Sequence, residues 1–286
     1  ALPISAVMYK SMVELGMPKA IADSMSQLLA LEKGMIVLCS PAASGLSTTF
    51  DVVVSSADRL LRDFISIEDA AAPPREIQNV KPVRYDARAG TTPVAALAEA
   101  MREYPAGIVT RDLRDKDLAL ELAKHADDSK LVIVSLRASD AIDGVAKLLA
   151  AGIPPDLLAR TLLGSLSQRL VRKLCPKCRE EFEPPPEMLA RLKKTKEELP
   201  TLKRAGETGC RVCAGSAYFG RTAIFELASG ETLRKYIAKK ADAKVLQQAA
   251  AKDGMRPLRE EGMRLVLEGA TSSDEMQRVF ASKSAG

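Results

Sequence analysis

Tryptophan is absent, aromatic residues make up only 4% of the chain, and there is one histidine among 286 residues. A protein that reads nucleic acid by stacking bases needs aromatic platforms, and this chain supplies them poorly. The net charge of +5, from 42 basic and 37 acidic residues, is too small an excess to imply a polyanionic partner. No run of about 18 apolar residues occurs, so no membrane-spanning helix is expected. A charged-then-apolar leader is also missing, and Ala1 to Met8 reads as a helical run already under way, cut from a longer chain.

What is present suits a globular protein: 47% hydrophobic and 28% charged residues, in a length that allows one sizeable core and a smaller module. Met35 to Cys39, Phe64 to Ile67, Gly107 to Thr110 and Leu131 to Ser135 read as strands. Between them lie helical patterns over Ser47 to Arg62, Thr92 to Arg102 and Asp115 to His125, with Ser139 expected to cap a further helix to Ala151. Thr92-Pro93 has the form of an N-cap followed by proline at the first helical position. Strands alternating with helices of this length predict an α/β fold with a mostly parallel sheet covered on both faces. Pro154 to Lys173 reads as helix, and Glu231 to Phe280 as three amphipathic helical segments with turns near Lys240, Gly254 and Gly269. The charged stretch Arg191 to Arg204 reads as a solvated helix face, with a docking patch for an acidic partner or anionic lipid as the alternative.

Four of the five cysteines fall in two CxxC pairs, Cys175/Cys178 and Cys210/Cys213. Two intervening residues let both thiolates of a pair face one ion, and two pairs complete a tetrahedron. A four-thiolate shell leaves no open position for water, so the expected metal is a structural Zn2+. The fifth, Cys39, ends a buried strand and is expected in the core.

Between the first strand and its helix runs Ser40-Pro-Ala-Ala-Ser-Gly-Leu-Ser47, in the place where a phosphate-binding loop belongs. Against the pattern G-x-x-x-x-G-K-[ST], Gly45 and Ser47 are present, Ser40 replaces the first glycine and Leu46 the lysine. Taken alone, the match is weak.

Four other stretches carry more information: Gln168-Arg-Leu-Val-Arg-Lys-Leu-Cys-Pro-Lys-Cys178, Gly209-Cys-Arg-Val-Cys213, Gly220-Arg-Thr-Ala-Ile-Phe-Glu-Leu227 and Gly254-Met-Arg-Pro-Leu-Arg-Glu-Glu-Gly262. They resemble the motor ATPases of type II secretion and type IV pilus assembly, and the resemblance extends from about Leu15 to Phe280. It implies a RecA-like P-loop core over residues 33–173 after a helical lead-in over 1–32, then a tetracysteine zinc module over 174–227 and a C-terminal helical region over 228–286. It also implies a hexameric ring, with the family's N-terminal half missing from this chain. The resemblance places Ser40 to Ser47 on the Walker A loop, so that Ser44, Gly45, Ser47 and Thr48 are the nucleotide-binding positions, and Leu46 stands at the lysine. Ile67-Glu68-Asp69 falls on an acidic box, with Glu68 as the catalytic carboxylate. Arg111-Asp-Leu-Arg-Asp115 falls on the Walker B motif, where Asp112 replaces the glutamate. Arg137 stands where a "His box" has its histidine.

A Walker lysine meets the β and γ phosphates with a charge-assisted bond of about 1.5–3 kcal/mol, and no Lys or Arg lies from Ser40 to Thr49 to replace it. Asp112 is one methylene shorter than the residue it replaces, and a displacement of about 1 Å costs on the order of 100-fold in rate. The expectation is therefore a degenerate ring subunit, scaffolding or regulatory, with weak ATP/Mg2+ binding at most. It would be cytoplasmic and held at the inner membrane by a platform protein, with itself or an active paralogue as ring partner. The alternative is a slow but genuine ATP-hydrolysing motor; a nucleic-acid binder is disfavoured.

Overall fold

The structure is a computed structural model that describes residues 9–281; the expected helical run at 1–8 lies outside them. The elements in chain order are α1 (Lys19–Leu29), β1 (Gly34–Ser40), α2 (Leu46–Ser55), β2 (Phe64–Asp69), β3 (Val80–Tyr85), α3 (Pro93–Ala100), β4 (Gly107–Thr110), α4 (Lys116–Asp128), β5 (Leu131–Arg137), α5 (Ala141–Ala150), α6 (Pro155–Thr161) and β6 (Leu162–Leu174). They continue with β7 (Glu180–Phe182), α7 (Pro186–Leu192), β8 (Leu202–Arg204), β9 (Tyr218–Ser229), α8 (Glu231–Ala238), α9 (Ala243–Lys252), α10 (Leu258–Leu267) and α11 (Ser273–Phe280).

A seven-stranded sheet runs in the order β3-β2-β4-β5-β1-β6-β9, and β1 to β6 pair in parallel. Every residue of β1 is buried. Met35, Val37 and Cys39 join a core with Leu122 of α4 and Val145 of α5, and the alternate residues Ile36 and Leu38 are also fully buried. Both faces of the strand are thus covered, as expected for a parallel sheet. Cys39 lies in that core with its thiol pushed up to about 12 by burial.

The chain forms two compact units. Among the described residues, the first comprises 9–168 and 225–256, the second 169–224 and 257–281. These units cut across the expected segments: α8 and α9 belong to the first and α10 and α11 to the second, because β6 and β9 each run on from one unit into the other. The second unit has its own core of Val171, Ile224, Leu258, Leu265, Val266 and Met276.

Pro154 to Lys173 is not one helix. After α6 it is the strand β6, whose Gly164, Ser165, Leu166, Ser167 and Gln168 are all buried. A strand covered on both faces loses its apolar/polar alternation, and the spacing of its leucines then imitates a helix. β3, an edge strand with Pro82 inside it, also escapes the sequence pattern; proline is tolerated there because one side needs no ladder partner. Asp140, not Ser139, caps α5 by accepting from Asp143 N–H at 2.8 Å. Among the described residues the C-terminal region holds four helices, and the three foreseen turns fall between them, with Lys240, Gly254 and Gly269 all at positive φ.

Candidate nucleotide loop and metal centre

The loop between β1 and α2 takes its shape from two left-handed residues. Gly45, at φ 81, is the N-cap of α2, and Ala43 holds φ 57 although a β-carbon makes that region costly by roughly 1–2 kcal/mol. Ser47 and Thr48 are exposed on the first turn of α2, while Leu46 is 8% exposed and packed into the protein. From β6, the buried carboxamide of Gln168 ties the loop to the helix after it: Nε2 donates to Ser44 O at 2.8 Å, and Oε1 accepts from the Thr49 hydroxyl of α2. The sequence pattern gives Gln168 no role, because the helix expected over Pro154 to Lys173 hides which face of β6 it presents.

β5 lies beside β1 with Arg137 in register with Ser40, and Ala138 N–H donates to Ser40 O at 3.2 Å. This brings the Arg137 guanidinium to the loop, where Nη1 donates to Pro41 O at 3.4 Å. Its Nε lies 3.9 Å from the carboxylate of Asp112, which also pairs with Arg114. Asp112 itself sits at φ 51, with its N–H donating to the Ser135 hydroxyl at 3.0 Å. Aspartate is enriched in this left-handed region among non-glycine residues, which suits it to the position. The structure thus unites the loop, Asp112 and Arg137.

Glu68 belongs to a different constellation. It is 7% exposed, Oε1 accepts from the Ser66 hydroxyl at 2.7 Å, and Oε2 lies 3.6 Å from Arg84 Nε without a hydrogen bond. A cavity of about 20 Å³, room for about one water, is lined by Ser66, Glu68, Thr110, Phe50 and Arg111. Arg111 reaches α2 from the end of β4. It pairs with Asp51, donates to Arg75 O at 3.0 Å and lies 5.0 Å over the Phe50 ring. Burial raises the pKa of Asp51 even with Arg111 alongside. Asp69 caps a turn, accepting from Ala71 N–H at 2.8 Å.

In the second unit the four cysteines converge. Their sulfurs all lie within 4.8 Å of one another, and the pairs 175/210, 178/213 and 210/213 are each 3.7 Å apart. Four sulfurs about 2.3 Å from one tetrahedral centre stand about 3.8 Å apart, so the donor set fits a Zn2+ ion, whereas a disulfide needs about 2.05 Å. Glycine and alanine turns shape the second knuckle, with Gly209, Ala214 and Gly215 at positive φ and Gly215 N–H donating to Cys210 O at 3.1 Å. Burial opposes ionising Cys213, yet the Cys210 N–H at 3.1 Å and the adjoining thiols outweigh it and bring its thiol down to about 6. Cys178 is pushed up to about 12, by burial and then by the three thiols around it.

Arg169 and Arg172, inside the stretch Pro154 to Lys173 that was expected to be helix, are strand residues engaged inside the second unit. Arg169 Nη1 donates to Val279 O at 2.8 Å, and Arg172 stacks 4.0 Å from the Tyr218 ring. The Arg172 guanidinium and N–H both bind Glu275, a carboxylate fully buried on α11 that sequence reasoning missed. The charged stretch 191–204 is only briefly helical, and its ion pairs include Lys194–Glu198 at 3.5 Å and Arg204–Glu180 at 3.1 Å.

Comparison with known proteins adds to this geometry. The family model described as "Type II/IV secretion system protein" matches residues 2–278. A type IV pilus assembly ATPase PilB from Thermus thermophilus is 30% identical over 92% of this chain and 30% of its own length. A type II secretion system ATPase E from Vibrio cholerae is 30% identical over 93% of this chain and 52% of its own. The chain therefore spans between about a third and about half the length of these curated relatives. Among solved structures, the pilus retraction motor PilT with bound ADP superposes with a TM-score of 0.62 at 19% identity, covering 93% of this chain and 65% of that one. The Legionella pneumophila ATPase DotB gives 0.63 at 13% identity, covering 95% and 65%. Both share the fold.

Proposed function

Since this chain belongs to the type II/IV secretion system protein family, we propose that it serves a type II secretion or type IV pilus machine as a ring subunit that scaffolds or regulates, hydrolysing ATP very slowly or not at all. The observation that carries this reading is Leu46, an uncharged, buried side chain at the first position of α2, where the loop would have to supply its own cation. Two further features point the same way. Glu68 is closed in with Ser66 and Arg84, away from solvent, and Asp112 already pairs with Arg114.

In this reading Ser44, Gly45, Ser47 and Thr48 would hold the phosphates of a weakly bound nucleotide, and Ser47 and Asp112 are the oxygen donors suited to its Mg2+. The ion would supply charge neutralisation on the phosphates; the chain itself orients them with the amides of the α2 N-terminus. The tetracysteine cluster would hold one structural Zn2+ that ties the end of β6 to the start of β9. The ring would be homomeric or mixed with an active paralogue, at the cytoplasmic face of the inner membrane on a platform protein.

A slow, genuine motor is the second reading, favoured by one observation: the loop keeps its left-handed shape at Ala43 and Gly45 and is clamped by Gln168, as an anion cradle requires. ATP binding and phosphate release, measured on the purified chain and on its Leu46→Lys, Asp112→Glu variant, separate the two. The proposal expects activity to appear only in the variant. Turnover by the unmodified chain at the rate of ordinary motor ATPases would sink it.

A further inference from the structure

Resting on the reading that this loop still takes a nucleotide, we propose that Arg137 is the phosphate-binding cation of the site, delivering from β5 the charge that position 46 lacks. The parallel register sets Arg137 directly beside Ser40, the residue at which β1 gives way to the loop. Six of the seven β5 residues are buried and Arg137 alone is exposed, so its side chain is the one that leaves the strand on the loop's side. From Ser40 to Thr49 the chain has no other cation.

Its present partners are weak ones. The bond to Pro41 O is long at 3.4 Å, and the 3.9 Å pair with Asp112 joins groups that are 50% and 41% exposed. Pairs of this kind are screened and contribute little, so a phosphate that recruits the guanidinium displaces almost nothing. A planar guanidinium also presents two parallel N–H donors, which suit a phosphate's oxygens better than one ammonium. The ligand class is a nucleoside polyphosphate, with its negative charge shared between Arg137 and the N-terminal amides of α2, whose first turn carries no acidic residue.

The test is MgATP binding by the full chain, its Arg137→Ala and Arg137→Lys variants, and the double variant Leu46→Lys, Arg137→Ala, with each fold checked by thermal unfolding. Arg137→Ala should weaken binding roughly 10- to 150-fold. Arg137→Lys should fall between it and the unmodified chain, and the double variant should recover the loss. The assignment is overturned if Arg137→Ala binds within twofold of the unmodified chain, or if the unmodified chain binds no MgATP at millimolar concentrations. It is equally overturned if Leu46→Lys fails to restore the alanine variant, since Arg137 would then act by shaping the loop through Pro41. Phosphate release read in the same samples bears on the scaffold reading alone: fast turnover would remove that reading and leave Arg137 in place.

Discussion

Glu275→Gln is the perturbation with the largest effect that the structure allows to be worked out. Glu275 has no exposed side-chain surface. Oε1 accepts from Arg172 N–H at 2.9 Å and Arg278 Nη2 at 2.6 Å; Oε2 accepts from Arg172 Nε at 2.8 Å and Arg278 Nε at 2.7 Å. Burial alone would raise its pKa, but the bonds from Arg278 and Arg172 overcome this and bring it from 4.5 down to about 2. A carboxylate lowered on folding contributes stability above its unfolded pKa and loses it as pH falls through the folded one. The contribution is about 3 kcal/mol at neutral pH, intact above about pH 5 and gone near pH 2. Glutamine keeps the shape but loses the charge and points N–H donors at guanidinium donors, so the cost at neutral pH should be about 3–5 kcal/mol. Urea unfolding of the full chain and the variant, followed from pH 7 to pH 2, measures it. The gap should close as pH falls; a gap under about 0.5 kcal/mol at pH 7, or one that does not change with pH, refutes the reasoning.

Two other outcomes follow from the geometry. Metal analysis of freshly purified, reduced protein should find one zinc per chain, lost in Cys213→Ser, and chelation should unfold the second unit first; metal-free protein would count against the cluster as a zinc site. Gln168→Ala leaves Ser44 O and the Thr49 hydroxyl without their buried partner, so it should cost about 1–3 kcal/mol in thermal or urea unfolding and weaken MgATP binding; an unchanged midpoint would show that the loop does not depend on the clamp.

Much of the first unit was legible in the chain because local signals coincide there with tertiary ones. Thr92 does cap α3, accepting from Ala95 N–H at 3.1 Å with Pro93 at the first turn, and β1, β4 and β5 are apolar runs bounded by breakers. The cysteine spacing was equally direct, since residue type and interval alone foretell that the four thiols come together. What stayed hidden depends on partners far away in sequence. β6 is recognisable as a strand only from what covers it, and Gln168, 124 residues from Ser44, has no local mark of its grip. Arg111 and Glu275 are single charges in charged surroundings, and only the fold shows that Asp51 and Arg172 face them.

A scaffolding or regulatory ring subunit, as proposed above, would not drive turnover with the loop at Ser40 to Ser47. Steady-state phosphate release by the unmodified chain at saturating MgATP, set beside the Leu46→Lys, Asp112→Glu variant, tests it most directly. A rate at least about 100-fold below that of the variant is predicted, from the shorter carboxylate at position 112 and the lack of a cation at position 46 together. Equal rates would contradict it.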